Sequence, residues 1–390
     1  MRPVLFFAVF SLTLFNLALC GLQIALMRRH KRSSRFLELA VCLWTFLMVV
    51  LLLVQGCAPA EWHPFLRRWL YFPIAVELVW NLLFIHVCLL AAIAITLALR
   101  WWKPAKPAAP EPEPVDFQRR NFIYLLACGT VPATALGMGV HGSLSRYDLR
   151  VREFRIPVTG LPPEMEGFTI AHVSDLHSGI FCGPRRLALI SAATNDLKAD
   201  LIAVTGDIIN DSMVDFPAAL AALQRLRAPY GTYLCEGNHD TIPGYGLVVE
   251  ACHRNHLAML FSQTAIVPVQ GKRLIIGALP WMPHAFPNMI DPLFPGRQPG
   301  DVRLLLAHHP DLFDAADSAD LVLSGHTHGG QIMLGPVGFG PLCFKYWSGL
   351  YTRPHNTMVV SNGCGDWFPC RIGAPAEIGL IRLTAAAPRV

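Results

Sequence analysis

The sequence predicts an all-α transmembrane region of about four helices, followed by an α/β domain. The first observation behind this prediction is composition: 53% of the residues are hydrophobic, 15% are charged, and mean hydropathy is +0.41. Such a balance is too apolar for an ordinary soluble enzyme. The second observation is that long apolar stretches fill the first 144 residues. The third is that, from about residue 150, short apolar runs alternate with amphipathic segments, as in α/β proteins.

Four apolar stretches are long enough to span a bilayer, for which about 20 residues are needed. They occupy residues 3–27, 37–60, 70–99 and 121–144. We assign residues 1–102 to three transmembrane helices, 103–120 to a proline-rich linker and 121–144 to a fourth helix. A cleaved signal peptide is a poor interpretation of the first stretch, because further spans follow it. The remaining domain is then expected to cover residues 145–390.

Basic residues predict the orientation of these spans. The loops after the first and third stretches are rich in Lys and Arg, whereas the N-terminus and the loop after the second stretch are poor in them. By the positive-inside rule the two rich loops are cytoplasmic. The protein is therefore predicted to be a multi-pass protein of the cell (inner) membrane, with residues 145–390 on the extracytoplasmic side. We expect no nucleic-acid binding, since much of the net charge of +5 lies beside apolar stretches.

Several features of this region have two interpretations. Glu77, Asn81 and His86 in the third span either satisfy one another or serve a function. The pair Arg119-Arg120 resembles a twin-arginine export signal, or simply anchors a helix. Cys364 and Cys370 would form a disulfide only in an exported domain, and their spacing alone does not establish one.

Residues 145–390 are predicted to contain eight strands and at least two helices. The apolar runs lie at residues 168–174, 201–205, 231–235, 273–279, 302–307, 321–324, 357–361 and 378–383. Helix-like segments lie at 184–196 and 214–227, where Pro184 and Pro217 suit early helical positions. Polar residues gather directly after five of the runs. Because ligands bind at the carboxyl ends of strands in open α/β sheets, these turns are expected to converge on one edge.

The converging side chains have the chemistry of a metal site. They comprise two carboxylates, one amide and four imidazoles, namely Asp175, Asp207, Asn238, His177, His308, His326 and His328. This set suits Mn, Fe or Zn and contains no thiolate. It exceeds the needs of one ion, so we expect two divalent ions about 4 Å apart that share Asp207. Two divalent ions together with two Asp carboxylates and a bridging hydroxide carry a net charge of about +1, which favours an anionic substrate such as a phosphate ester.

The motifs DLH, GDxxN, GNHD, HHP and GHTHGGQ, in this order, resemble the signature of calcineurin-like metallophosphoesterases. The likeness covers roughly residues 150–385 and is greatest to the membrane-anchored bacterial-type subgroup. It implies a two-sheet sandwich flanked by helices. It also implies two sets of metal ligands, with Asp207 in both: Asp175, His177, Asp207 and His328 for one ion, and Asp207, Asn238, His308 and His326 for the other. His239 would then protonate the leaving oxygen or hold the phosphate, and Asp240 would orient His239.

The implied activity is that of a metal-dependent phosphoric ester hydrolase, a phosphodiesterase or a phosphatase, in which a hydroxide bridging the two metals attacks phosphorus. Two other functions stay open: a non-catalytic membrane sensor or scaffold, and a lipid-linked pyrophosphatase of envelope synthesis. The substrate is a phosphate ester, lipid-linked or diffusible. The sequence does not indicate an oligomeric state.

Some individual assignments also stay open. We prefer His308 to His309 as the ligand, because the family places the ligand first. His172 lies within a strand-like run and is expected in the core. Asn210 either contacts substrate or caps a turn. Arg185 and Arg186 either clamp phosphate or lie solvated on a helix. Trp281 replaces a position that is often acidic in the subgroup.

Overall fold

The structure is a computed structural model that describes residues 137–282, 287–294 and 296–386, together with Leu43, Phe46 and Val50. Most of the predicted spans, the linker, the polar residues of the third span and the Arg119-Arg120 pair lie outside these residues. Residues 137–145, at the end of the fourth predicted span, are helical. Within the described part of the chain, no helix has the length and apolar character needed to cross a membrane. The chain divides into two units, Met1–His141 and Gly142–Val390.

The first sheet of the second unit has six strands in the order β1-β14-β2-β3-β4-β5. Its strands are β1 (Leu149–Val158), β2 (Thr169–Val173), β3 (Leu201–Thr205), β4 (Thr232–Cys235), β5 (Ala258–Met259) and β14 (Ala376–Ala385). Strands β2 to β5 run parallel to one another, β14 is antiparallel to β2, and β1 pairs with β14 in parallel. The carboxyl ends of β2, β3 and β4 therefore lie side by side at one edge.

The second sheet also has six strands, in the order β12-β13-β9-β8-β7-β6. Its strands are β6 (Gln263–Val269), β7 (Lys272–Ala278), β8 (Val302–Leu306), β9 (Leu321–Ser324), β12 (Gly349–Thr352) and β13 (Thr357–Val360). Strands β7, β8, β9 and β13 are parallel, and the two edge strands are antiparallel to their neighbours. A short hairpin, β10 (Met333–Leu334) with β11 (Val337–Gly338), lies outside both sheets.

Alternate residues of the two sheets form one core. Ile170, Leu201, Leu304 and Leu323 belong to a single buried cluster, so the inner faces of the sheets pack on each other. The intervening residues pack outwards: Ala171, Ile202 and Val204 share a second cluster with helical residues. Strands buried on both faces read as continuous apolar runs, which is why the sequence displays them so clearly.

The helices are short and follow the strands. The α-helices after the 137–145 helix are α1 (Pro184–Asp196), α2 (Phe216–Leu223), α3 (Leu247–Arg254), α4 (Pro287–Ile290) and α5 (Phe339–Cys343). Proline occupies an early position in α1 and α2, where its missing N–H is not needed. Buried residues of α1 and α2, among them Leu187 and Ala219, cover the outer face of the first sheet. The mixed α/β fold is thus as predicted.

Each of the eight predicted strands is present, and helix α1 has the predicted bounds. The apolar runs did not indicate β1, β5, β6 or β12. Strand β1 lies at a sheet edge and is largely exposed, so its sequence is rich in arginine rather than apolar. Strand β6 contains Pro268, which only an edge strand tolerates well. The open question of a disulfide is also answered: Cys364 and Cys370 are both buried free thiols.

Candidate metal centre and active site

The predicted site residues follow the carboxyl ends of the inner strands of both sheets. Asp175 and His177 come after β2, Asp207 after β3, and Asn238 and His239 after β4. From the second sheet, His308 comes after β8, and His326 and His328 come after β9. The two sheets face each other, so these five turns meet at one end of the sandwich.

The backbone of these turns is strained in a consistent way. Of the ten described non-glycine residues with positive φ, five are predicted metal ligands: Asp175, His177, Asp207, His326 and His328. Left-handed backbone costs roughly 1–3 kcal/mol for each such residue and persists only where the surroundings impose it. Strain of this kind concentrates at functional sites, and here it turns five polar side chains toward one another.

Glycine is required at two of the turns because backbone and ligand side chains approach too closely for a Cβ atom. A Cβ at Gly237 would overlap the amide nitrogen and the carboxylate of Asp207. A Cβ at Gly325 would overlap Ser174 and the carboxylate of Asp175. These two glycines therefore let the β3 turn meet the β4 turn, and the β2 turn meet the β9 turn.

The first group of candidate ligands contains Asp175, His177, Asp207 and His328. The Nε2 atoms of His177 and His328 are 2.9 Å apart. His177 Nε2 lies 3.4 Å from Asp207 Oδ2, and His328 Nε2 lies 3.4 Å from Asp175 Oδ1. Ligand atoms held at about 2.1 Å from one ion lie roughly 3 to 3.5 Å apart. The spacing of these atoms therefore fits a shared cation.

The second group contains Asp207, Asn238, His308 and His326. His308 Nε2 lies 3.3 Å from Asp207 Oδ2 and 3.1 Å from the amide oxygen of Asn238. His326 Nδ1 is 2.8 Å from the same amide oxygen. The Nδ1 atom of His308 is 2.7 Å from the carbonyl oxygen of Thr205, which fixes the ring with Nε2 toward the group. The Asp207 carboxylate thus lies beside ligand atoms of both groups.

The carboxylates and imidazoles of the site form overlapping clusters of potential ligand atoms. Three sets of side chains place one ligand atom each within 4.8 Å of one another: Asp175, His177 and His328; Asp175, Asp207 and His308; and His177, Asp207 and His239. The members are buried apart from His239, which is partly exposed. The residues present therefore fit divalent metal binding, and His239 is the member that faces outward.

His239 is held by two backbone contacts. Its amide N–H donates to Asp207 Oδ1 at 2.8 Å, and its Nδ1 lies 2.5 Å from the carbonyl oxygen of Asn210. Its ring meets that of His177 edge-on, with the centroids 4.6 Å apart. Asp240 does not contact the His239 ring through any of the hydrogen bonds that the described residues show. The Asp240 carboxylate instead accepts backbone N–H bonds from the neighbouring turns, namely those of Ile208, Ile209 and Gly237.

Comparisons with known proteins agree with this geometry. The family model for calcineurin-like phosphoesterases matches residues 168–330, which include every predicted ligand. The phosphodiesterase YaeI of Escherichia coli is 30% identical over 231 residues, which cover 55% of this chain and 82% of that protein. The chain belongs to the calcineurin-like phosphoesterase family. It is accordingly a metal-dependent phosphoric ester hydrolase.

Two further relatives differ in how much of their own length this chain matches. The uncharacterized metallophosphoesterase YkuE of Bacillus subtilis is 29% identical over 287 residues, covering 68% of this chain and 97% of that protein. A transmembrane protein with metallophosphoesterase domain from Danio rerio is 28% identical, covering 67% of this chain and 65% of that protein.

The electrostatics of this phosphoesterase follow from burying two carboxylates among imidazoles. Burial raises the pKa of Asp175 to about 6, with Asp207 adding to the effect. Burial also acts to raise the pKa of Asp207, but His308 and His239 hold that pKa well below its usual range. Burial alone would lower the pKa of His308, yet Asp207 and Asp175 raise it to about 10. The two carboxylates therefore create a strong demand for positive charge.

The imidazoles of His177, His326 and His328 are kept neutral. Burial lowers the pKa of His177 and of His328 well below the ordinary value, and it lowers that of His326 to about 3. A neutral imidazole presents the lone pair that a metal ion needs. These three histidines thus offer neutral nitrogen ligands beside the ionised carboxylate of Asp207.

The structure gives contacts for several residues whose assignment the sequence leaves open. His172 is fully buried with Nε2 2.8 Å from Thr205 Oγ1, as expected of a core residue. His309 accepts a hydrogen bond from the Asp311 amide and caps a short turn, which leaves His308 in the ligand group. Arg186 donates to the carbonyls of Arg146 and Tyr147. Asn210 contributes its carbonyl oxygen to His239.

The sequence reasoning missed Arg371, which is completely buried beside the first ligand group. Its Nη2 lies 3.1 Å from His328 Nδ1, and its Nε donates to Asp366 at 2.6 Å. The loop before it packs on the β2 turn, because the amides of Cys364 and Gly365 donate to the carbonyls of Ser174 and Asp175. The run SNGCGDW after β13 was the available signal, since its two glycines permit this close packing.

Trp281 and Glu236 border the second ligand group. The Trp281 ring lies 5.1 Å from that of His326 and 5.5 Å from that of His309, between ring centroids. Its backbone N–H donates to the buried carboxylate of Glu236 at 3.2 Å. Trp281 therefore gives this phosphoesterase an aromatic wall where the subgroup pattern suggests an acidic residue.

Proposed function

We propose that this phosphoesterase binds two divalent cations, Mn, Fe or Zn, and hydrolyses phosphate esters that bind between these cations and His239. Asp175, His177 and His328 would hold one cation, and Asn238, His308 and His326 the other, with Asp207 shared. The observation that carries the proposal is the convergence of seven buried or half-buried ligand side chains from five turns, with facing ligand atoms 2.8 to 3.4 Å apart.

When bound, such cations activate water and neutralise charge on the phosphoryl oxygens. The chain's own contribution is to position these groups and to move a proton. Because the Asn210 carbonyl accepts from Nδ1–H of His239, Nε2 is the nitrogen that gains and releases a proton. His239 is partly exposed whereas the ligands behind it are buried. A substrate phosphate therefore meets His239 as it enters, and Nε2–H is placed to protonate the departing oxygen.

Asp240 supports this arrangement without contacting the substrate. Its carboxylate ties the β3 turn to the β4 turn through three backbone N–H bonds. Those two turns carry Asp207 and His239. We therefore propose Asp240 as a positioning residue rather than as a partner of the His239 ring.

The test uses the full chain in detergent, stripped of metal and reloaded with Mn²⁺, Fe²⁺ or Zn²⁺. Bis(p-nitrophenyl) phosphate and p-nitrophenyl phosphate serve as the diester and monoester. We expect metal-dependent turnover that is lost in Asp207→Asn and His239→Ala but retained in His355→Asn, a change at an exposed histidine. Asp207→Asn should also lose bound metal, whereas His239→Ala should keep it. Failure of the wild-type chain to bind metal would overturn the proposal in favour of a non-catalytic sensor or scaffold.

We further propose that the enzyme is a multi-pass membrane protein whose catalytic domain faces the extracytoplasmic side. Four apolar stretches and the distribution of basic residues support this. A relative that bears the name of a transmembrane protein adds support. Ile266 offers a topological probe, because it is 51% exposed on strand β6, and a cysteine can replace it in a Cys343→Ser background. A membrane-impermeant maleimide should label Ile266→Cys in intact cells, above the signal of Cys343→Ser alone. Labelling only after lysis would place the domain in the cytoplasm.

A further inference from the structure

An uncharged and exposed segment projects from the turn that carries His328. This apolar segment, Met333–Cys343, has the sequence MLGPVGFGPLC and contains hairpin β10–β11 and helix α5. Leu334 is 44% exposed, Val337 55% and Leu342 75%. Eleven consecutive residues without a polar side chain, with large ones exposed, are uncommon on the surface of a soluble domain and mark interaction sites.

The apolar segment is built onto the catalytic turn and not onto a distant surface. A Cβ atom on Gly330 would overlap the backbone of Gly340, so the segment packs directly against the end of the GHTHGG motif. Just beyond the segment, the ring of Phe344 lies edge-on to that of His326, with the centroids 5.8 Å apart. The exposed apolar side chains therefore stand beside the candidate metal centre.

The same corner contains Gly142, the first residue of the second unit. The backbone carbonyl of Gly142 accepts a hydrogen bond from the Arg371 amide at 2.9 Å. The next residue, Ile372, forms a bridge with Ile332, and its carbonyl accepts from the Met333 amide at 2.7 Å. Two consecutive residues thus link the first residues of the domain to the base of the apolar segment.

Residues 121–144, which end at this point, contain no Asp, Glu, Lys or Arg. If they lie in a bilayer, the domain begins at the bilayer surface, and the apolar segment begins next to it. Aromatic and cationic side chains follow the segment at once, in Phe344, Lys345, Tyr346 and Trp347. Such residues are enriched where proteins meet the headgroup region of a membrane.

We propose that the apolar segment inserts into the lipid bilayer and holds the catalytic site open toward phosphate esters carried by lipids of the same bilayer. The occupant of this surface is thus lipid. The insertion itself is independent of catalysis, whereas the consequence for substrates rests on the proposed hydrolase function.

Insertion is tested on the full chain in nanodiscs of equal parts phosphatidylcholine and phosphatidylglycerol. An environment-sensitive fluorophore is attached at Val337→Cys in a Cys343→Ser background. Ile266→Cys in the same background is the matched control, because Ile266 is 51% exposed on strand β6, at an edge of the second sheet. We expect a blue-shifted emission and quenching by brominated lipids at position 337 and neither at position 266. Equal spectra at both positions would overturn the proposal, as would shielding at 337 without quenching by lipid, which would indicate a protein partner.

The substrate consequence is tested with two diesters that share one leaving group. Hexadecyl p-nitrophenyl phosphate is placed in the nanodisc, and bis(p-nitrophenyl) phosphate is dissolved in the buffer. The triple variant Leu334→Ser, Val337→Ser, Leu342→Ser should lose about tenfold or more in rate on the lipid-borne diester, because apolar area that holds the site at the bilayer is removed. Its rate on the soluble diester, and both rates of Ile266→Ser, should stay within about twofold.

The outcomes separate this inference from the proposed function. An equal loss on both diesters would show general damage to the site and would overturn the substrate consequence. If the metal-loaded wild-type chain turns over neither diester, this result would contradict the proposed function. The fluorescence comparison would still decide whether the apolar segment inserts.

Discussion

Replacement of Arg371 by methionine should damage both the stability of the domain and its metal site. The guanidinium group has no exposure to solvent, and Asp366, its ion-pair partner, is 2% exposed. Its Nη1 donates to the carbonyls of Asn362 and Ala374 at 2.9 and 3.1 Å, and its Nη2 donates to the Gly365 carbonyl at 2.6 Å. Methionine fills a similar volume but satisfies none of these oxygens.

The magnitude follows from what the substitution leaves behind. Removing one partner of a buried ion pair costs about 3–5 kcal/mol, because a buried charge loses its compensation. For a domain of this size, each 1 kcal/mol lowers the Tm by roughly 2–4 °C, so the expected fall is about 6–20 °C. In the double variant Arg371→Met, Asp366→Asn part of the loss should return, since the uncompensated carboxylate is gone.

The effect on the metal site follows from the loop that Arg371 holds, because its Nη2 donates to the Gly365 carbonyl and the Gly365 amide donates to the carbonyl of Asp175, a candidate ligand. Loss of a group that holds a ligand in place typically lowers metal affinity about 10- to 100-fold. Arg371→Lys keeps the charge but offers a single ammonium group in place of the planar fork, so we expect it to recover part of the stability and little of the affinity.

Thermal unfolding of the full chain in detergent measures the first effect, and a chelator-competition titration with Co²⁺ or Mn²⁺ measures the second. Arg273→Met is the control, because Arg273 forms an ion pair with Asp301 at the start of β7, at the other end of the strands from the site. It should lower the Tm without changing metal affinity. A large fall in Tm with unchanged metal affinity in Arg371→Met would refute the positioning role, and a change below about 2 °C would refute the stability argument.

Three other outcomes are expected. Burial lowers the pKa of His172 to about 3, so below pH 6.5, the ordinary pKa of histidine, the unfolded chain binds a proton that the folded chain does not. This contribution to stability is present above pH 6.5 and is lost on acidification. The stability advantage over His172→Gln should therefore shrink by about 2 kcal/mol between pH 7 and pH 5 in denaturant titrations. Gly237→Ala should fold with a lower Tm, measured by calorimetry, and should lose metal-dependent turnover, measured by kinetic assay, since its Cβ would overlap Asp207. Gly183→Ala should keep the wild-type Tm and turnover, because a Cβ atom there meets no neighbour. Chelation of the bound metal should lower the Tm in proportion to the lost binding energy, about 2.7 kcal/mol when the free metal had been at 100 times its Kd, and an unchanged Tm would count against metal binding to the folded domain.

The strands of this fold were predictable because their burial is two-sided. Residues such as Ile202 and Leu304 lie in runs in which both faces meet hydrophobic neighbours, so the sequence shows uninterrupted apolar residues. Strand β1 was not predictable by the same rule, because its outer residues face solvent and its inner residues, Phe154, Ile156 and Val158, alternate with exposed positions. Its pairing with β14 depends on the arrival of the last strand of the chain, which no local pattern reports.

The candidate ligands were predictable for a related reason. Each follows directly after an apolar run, and parallel strands bring their carboxyl ends to a common edge, so sequence position alone indicates proximity. The residues that hold the ligands carry no such signal. Arg371 lies 43 positions from His328 in the chain, in a loop without an apolar run before it, and only the packing of that loop on the β2 turn brings the two together.

Asp240 and Asn210 show why contacts inferred from side-chain chemistry in the sequence can differ from those in the structure. A carboxylate directly after His239 in the sequence suggests an Asp–His pair, because side-chain chemistry is what a sequence displays. In the structure the carboxylate is occupied by three backbone N–H groups, and a main-chain carbonyl holds the imidazole. Every residue has a carbonyl, so the residue type at position 210 carries no information about this bond. Asn210→Ala should therefore leave His239 in place and keep most of the activity, whereas Asp240→Asn should weaken both turns, because an amide nitrogen would face a backbone N–H donor. Comparison of the two variants by kcat on bis(p-nitrophenyl) phosphate decides the point: a greater loss in Asn210→Ala than in Asp240→Asn would mean that the Asn210 side chain, and not its carbonyl, acts in catalysis.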